Sequence, residues 1–129
     1  ISMSKLVLIF LGSGAGGLLR YSATGLVQRL TSSSFPTGTL FVNFSGCLLI
    51  GFLTAALSGR ELVRDDFRIA LLVGVLGGYT TFSTFGIETF TLLQDGQFRH
   101  ACLNVLVSIA LCLVAVCLGY RTAEVLLGV

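Results

Sequence analysis

The sequence predicts an all-α integral membrane protein with four transmembrane helices, the third of them broken. Three observations carry this. Of 129 residues, 54% are hydrophobic and only 11% are charged, whereas a soluble domain carries about 25% charged residues. Apolar stretches of about 20 residues, the length needed to cross roughly 30 Å of hydrocarbon, recur along the chain. What remains suffices for short loops, so residues 1–129 read as a single four-helix transmembrane domain. Any function must then sit on the helices themselves.

Helix 1 is expected over residues 4–30. Ile1 and Ser2 precede Met3 and are set aside as a remnant or trimmed start. The apolar run after Lys5 continues through Leu18 and Leu19 to Leu26, beyond the core of a signal peptide, so it reads as a retained helix. Within it lie Gly12, Ser13, Gly14, Ala15, Gly16 and Gly17. Such a run weakens a helix in water but lets another backbone approach closely in a membrane. Gly12 with Gly16, and Ser13 with Gly17, have the small-xxx-small spacing. Tight dimer packing is one use for it. Arg20 lies toward the end of this helix and must snorkel, pair or point inward.

A polar turn from Thr31 to Pro36 leads into helix 2, expected over residues 38–58. Thr39, Asn43, Gly46 and Ile50 share one face of it. Asn43 is conspicuous, because a buried amide in lipid needs a partner; an interhelical hydrogen bond is the plain structural reading. A charged connection follows, in which Arg60, Arg64 and Arg68 alternate with Glu61, Asp65 and Asp66. Mixed signs build no phosphate-binding field, and the net charge of +2 points to no nucleic-acid partner.

Helix 3 is expected over residues 67–93, interrupted by Gly77-Gly78-Tyr79-Thr80-Thr81. Paired glycines before β-branched threonines are poor helix formers. A break at membrane depth is tolerated only where protein or a watery cavity surrounds it, and its freed carbonyls and amides can bind ions. After a turn at Gln94-Asp95-Gly96-Gln97, helix 4 covers residues 98–126, with Asn104 and Ser108 on one face. Lys5, Arg60, Arg64, Arg68 and Arg121 fall on one side of the membrane, Arg29 and Arg99 on the other. The small excess leans toward both termini in the cytoplasm and is compatible with insertion both ways.

Four cysteines, Cys47, Cys102, Cys112 and Cys117, lie in apolar stretches without metal-ligand spacing and read as small apolar fillers. The single histidine, His100, sits near the membrane edge, and no acid–base–nucleophile set can be assembled around it. The chain is not expected to be an enzyme.

The densest polar pattern follows the break. Thr81, Thr84, Glu88 and Thr91 form one stripe of a helix, with Phe82 and Phe85 on an adjoining face. A carboxylate inside a membrane helix is a functional candidate by default. Three readings stand together here: glue between helices, a proton-coupled carboxylate, and an ion path lined by hydroxyls and aromatic edges. Aromatic rings have a negative face and a positive edge, so edge-on phenylalanines can receive a small anion without the trapping that a full positive charge brings.

Three motifs then carry a resemblance: Gly16-Gly17-Leu18-Leu19-Arg20-Tyr21, Gly38-Thr39-Leu40-Phe41-Val42-Asn43, and the segment from Gly74 through Gly77-Gly78-Tyr79-Thr80-Thr81-Phe82-Ser83-Thr84-Phe85. With them, the chain resembles the Fluc (CrcB-type) family of small fluoride channels over nearly its whole length. The resemblance implies an antiparallel dual-topology homodimer in a bacterial inner membrane. Its two pores would export fluoride passively and give fluoride resistance. It also implies a structural Na+ at the dimer centre, held by the backbone carbonyls of Gly77 and Thr80. Phe82 and Phe85 match fluoride-lining aromatics, and Asn43 matches a pore amide. Thr39, Thr84 and Glu88 match a polar track with Ser83 close by, and Arg20 matches a basic residue near the entrance. Helix 4 departs from the pattern at Asn104 and Cys112, where hydroxyls are expected. The partners implied are fluoride, a second copy and the bilayer. A small proton-coupled cation exporter and a non-transporting assembly subunit are the alternative readings.

Overall fold

A computed structural model describes residues 1–58 and 63–129. Arg60 and Glu61 of the charged connection therefore lie outside the described residues. Helix α1 spans Met3–Thr31 and α2 spans Thr37–Ala56. The third crossing, Asp65–Gln94, is composite: α3 (Asp65–Ile69), a π-helical stretch (Ala70–Leu76), a short α4 (Gly77–Tyr79) and α5 (Phe82–Gln94). Helix α6 covers Phe98–Leu127. Four crossings are each long and apolar enough to span a membrane, which makes this a multi-pass membrane protein. The shortest, α2, has 20 residues, about 30 Å at 1.5 Å per residue, and so matches the hydrocarbon core.

Side chains at the helix ends explain the boundaries. The Ser2 hydroxyl caps α1 by accepting from the Lys5 amide. At the other end, Ser32 takes a left-handed conformation (φ 46°) and its amide closes on the Gln28 carbonyl. Gln28 then organises the whole α1–α2 turn. Its Nε2 donates to the carbonyls of Ser33 (2.8 Å) and Phe35 (3.1 Å), while its Oε1 accepts from the Gly38 amide (3.2 Å). Helix α2 begins beside Pro36, which has no N–H to lose, and the Gln28 carboxamide supplies the acceptor that a capping side chain would otherwise give. Gly96, with φ 73°, makes the left-handed bend between α5 and α6.

Small residues set the packing. The main seam joins α2 to α6, which run parallel as the second and fourth crossings. Val42, Ala55, Ala115 and Ala123 are buried along it. A Cβ on Gly51 would collide with the Val116 carbonyl, and one on Gly119 with the Leu48 carbonyl. The two backbones therefore touch, the arrangement that replaces the hydrophobic drive between membrane helices. On the opposite flank, Gly12 packs on Ala70 and Gly74, and Gly16 on Val75 and Tyr79. The Gly12/Gly16 spacing thus serves contact between α1 and the third crossing of the same chain. A Cβ on Gly14 or Gly17 would meet nothing within 4 Å among the described residues, and both line an open cleft beside Arg20.

The interruption of the third crossing is narrower than the sequence predicts. Gly77 keeps helical angles (φ −62°, ψ −37°). Only Thr80 (φ −84°, ψ 158°) and Thr81 (φ −152°, ψ 120°) are extended. Gly78 is needed there for packing, since a Cβ on it would meet the Ser13 carbonyl at 2.5 Å, whereas a Cβ on Gly77 would meet open space. The π-helical stretch carries no mark in the sequence, since an uninterrupted apolar run reads the same at either winding.

The packing yields a direct expectation. Gly119→Ala should lower stability in detergent by about 1–3 kcal/mol, the usual cost of overpacking. Gly86→Ala, where a Cβ meets open space, should be neutral or stabilising by up to about 1 kcal/mol through helix propensity. Equilibrium unfolding of the two variants measures the contrast.

Candidate functional site

Two extended residues inside a membrane span leave backbone groups that must find partners. Asn43, on the α2 face turned toward the break, supplies two of them. Its Oδ1 accepts from the Thr81 amide (2.8 Å) and its Nδ2 donates to the Thr81 carbonyl (2.9 Å). The carboxamide thus pairs with Thr81 as a neighbouring β-strand would. It retains one further N–H on Nδ2, since a primary amide has two. The interhelical bond therefore leaves one Asn43 N–H for a further acceptor.

The Thr81 hydroxyl caps α5, accepting from the Thr84 amide at 3.2 Å and donating to the Thr84 hydroxyl at 3.0 Å. Ser83 is exposed, with its hydroxyl 3.4 Å from that of Thr81. On the other side of the break, the Thr81 amide would have continued the helix by donating to the Gly77 carbonyl. It turns to Asn43 instead, which leaves the Gly77 carbonyl without its helical donor. Among the described residues the Thr80 carbonyl has only a long contact from Arg20 Nη1, at 3.4 Å. Oxygens freed in this way are what a hard cation such as Na+ takes as ligands. The residues present fit that ion, and Gly77 and Thr80 are the two that would hold it.

Two clefts flank the break, with Thr81 in the wall of both. The first, of about 320 Å³, is lined by Asn43, Gly77, Thr80, Phe82 and Phe85, together with Cys47, Ser108 and Cys112. The two phenyl rings stand 5.4 Å apart between centroids and are tilted by 42°. Phe82 is 81% exposed, so its edge is available. The second cleft, of about 850 Å³, is lined by Arg20, Arg29, Tyr21, Ser22, Thr24 and Thr84. Arg20 is half-buried on α1 and points at the broken segment. Of the three ways in which a membrane arginine can be accommodated, it points inward.

Farther along α5, the buried Thr39 hydroxyl donates to Glu88 Oε1 at 2.8 Å. The second carboxyl oxygen, Oε2, is buried without a hydrogen-bond partner among the described residues. Thr91 bonds back to the Ile87 carbonyl of its own helix at 2.9 Å and does not join this pair. Asn104 is 2% exposed on α6 and donates to the Thr89 hydroxyl at 2.9 Å, while Ser108 donates to its Oδ1 at 3.2 Å. This second polar tie holds α5 against α6.

The structure therefore gathers Asn43, Gly77, Thr80, Phe82 and Phe85 in one place. Thr84 and Arg20 sit across the break, and Thr39 with Glu88 lies apart from both clefts. The sequence reading treats Cys47 and Cys112 as fillers, yet both line the first cleft. A signal was present: Cys47 follows Asn43 by four residues and Cys112 follows Ser108 by four, so each shares a helix face with a polar cleft residue.

Asn43→Ala should expose the Thr81 amide to rapid hydrogen exchange, while Asn43→Asp should keep that amide protected, because it retains the acceptor and loses only the donor. Both should cost on the order of 1–3 kcal/mol, the penalty for an unpaired buried group. Thr39→Val should destabilise by a similar amount by removing the donor to Glu88, and Thr39→Ser should restore most of it. Site-resolved exchange and equilibrium unfolding in detergent measure these effects.

Comparison with known proteins gives a consistent outcome. The family model described as "CrcB-like protein, Camphor Resistance (CrcB)" matches residues 7–120. A protein of Coxiella burnetii (strain Dugway 5J108-111) is 49% identical over 119 residues, covering 89% of this chain and 94% of its own length. One of Geobacter sulfurreducens is 44% identical over 122 residues, covering 95% and 98%. Each of these two relatives is named "Fluoride-specific ion channel FluC".

Proposed function

The chain belongs to the CrcB family, and on that premise we propose that it is a fluoride channel, letting the anion leave a bacterial cytoplasm across the inner membrane and so conferring fluoride resistance. One observation carries this reading: near full-length similarity, at 44–49% identity, to relatives named as fluoride-specific ion channels. Those names also agree with the expectation that the chain is a channel and not an enzyme.

The physical logic is simple. Hydrogen fluoride enters as a neutral acid and ionises in a neutral interior, where the anion is trapped. A negative interior drives one charge outward by about 2.3 kcal/mol per 100 mV. At a factor of ten per 1.4 kcal/mol, that supports roughly a 40–50-fold gradient. Neither ATP nor proton coupling is required.

In this reading the anion passes the first cleft. The positive edges of Phe82 and Phe85 and the free N–H of Asn43 receive it, and no full charge holds it there. The path in this reading extends past the break along the hydroxyls of Ser83 and Thr84 to the polar pair of Thr39 and Glu88, which lies outside both clefts of a single chain, and Arg20, in the wall of the second cleft, attracts the anion at the entrance. Two copies inserted in opposite directions would close the clefts, which open on the side of a single chain, and would make two pores. Gly14 and Gly17, where a Cβ would meet nothing within 4 Å among the described residues, leave room on α1 for such a contact. Na+ on the dimer axis would take the carbonyl oxygens of Gly77 and Thr80 as ligands and hold the two breaks together.

The test is efflux from liposomes loaded with potassium fluoride or potassium chloride, with valinomycin carrying the counter-charge. Fast, valinomycin-dependent fluoride efflux without chloride efflux is expected. Loss of both from folded, sodium-loaded dimer would favour the coupled exporter or the assembly subunit. Phe82→Ile and Phe85→Ile should each cut fluoride efflux at least about tenfold, equivalent to 1.4 kcal/mol or more, without changing the dimer on gel filtration.

A further inference from the structure

Cys47 and Cys112 face one cleft from the two sides of the α2–α6 seam. Helices α2 and α6 run in parallel with their backbones in contact at Gly51–Val116 and Gly119–Leu48; Cys47 and Cys112 each lie one helical turn before the Gly51–Val116 contact, and both line the same cleft. Both are half-buried free thiols, whereas Cys102 and Cys117 are exposed. The pair faces the cleft that also holds Phe82 and Phe85, between the apolar side chains of Ile50, Leu72 and Ile109.

From this juxtaposition we propose that Cys47 and Cys112 form a two-thiolate site for a soft divalent cation of linear coordination, with Hg2+ as the matching ion. Thiolate is the ligand that soft metals select. Two sulfurs satisfy a linear ion, so no third donor is needed. Binding forms two S–Hg bonds and releases two protons: Hg2+ displaces one proton from each thiol, with no change of oxidation state. The bis-thiolate carries no net charge, as an apolar cleft requires, since an unpaired charge there would be heavily penalised. A monovalent soft ion would leave one negative charge in the same place. Bound metal would lie beside the two phenyl rings, and it obstructs the cleft; this second statement rests on the channel reading, whereas the binding does not.

The experiment uses the full chain with Cys102→Ser and Cys117→Ser, so that only the pair remains. Mercuric ion is added and the intact mass is read in denaturant. A gain of one mercury less two protons is expected, and it should survive free monothiol at roughly 0.1 mM, because the second thiolate acts at an effective concentration on the order of millimolar or more. Adding Cys47→Ser or Cys112→Ser should give an adduct that the monothiol strips. An adduct less one proton in the pair protein, or equal retention in the single-thiol variants, overturns the site. In vesicles whose fluoride efflux has first been demonstrated, mercury should reduce efflux at least about tenfold, with recovery on adding a chelating dithiol. Undiminished efflux with the bridged mass confirmed overturns the obstruction alone.

Discussion

Everything near the site depends on one constraint: a polypeptide inside hydrocarbon cannot leave its backbone polar groups unpaired. The third crossing breaks at Thr80 and Thr81, and the Asn43 carboxamide makes the break tolerable by pairing with both polar groups of Thr81. That bond has a corollary on the other side. Because the Thr81 amide turns away from the ladder, the Gly77 carbonyl is released from its helical donor and, like that of Thr80, offers a neutral oxygen at the break. The ends of the break therefore have different characters, an α5 N-terminus that favours negative charge and an α4 C-terminus that favours positive charge.

The glycines keep this arrangement in register. Gly46 lies against Thr80 and Tyr79, where any side chain would push α2 away from the break. The Tyr79 hydroxyl reaches Ser45 at 2.8 Å on the same face. Gly12, Gly16 and Gly78 bring α1 against the other flank. Phe82 and Phe85 themselves make few such ties. Their mutual geometry follows from their spacing on α5 and from the Thr81 cap that fixes where α5 begins.

The four crossings were legible because apolar length and the scarcity of charge are signals that tertiary context does not override. The break was legible from Gly77-Gly78 and the two threonines, but its extent was not. Helix propensity disfavours glycine by default, whereas here Gly78 remains helical because Ser13 leaves no room for a side chain. The face of α2 carrying Thr39, Asn43 and Gly46 was read correctly from period alone, and all three meet the third crossing. Gln28 was invisible: a glutamine near a helix end has no positional rule, and its role depends on the path of the turn that it holds. The shared cleft of Cys47 and Cys112 was missed for a related reason, since the two are separated by about half of the chain and the α2–α6 seam unites them.

That seam also has consequences for biogenesis. Chains emerge from the N-terminal end, and the α1–α2 turn is closed by Gln28 through contacts no more than ten residues apart in sequence. A helical hairpin is thus complete early. Its second helix then waits: Asn43 has no Thr81 to bind until 38 further residues have been made, and Gly51 meets Val116 only when the last crossing arrives. During that interval the polar and glycine-rich face of α2 is the most vulnerable surface of the nascent protein. The final crossing completes the folding unit by covering it.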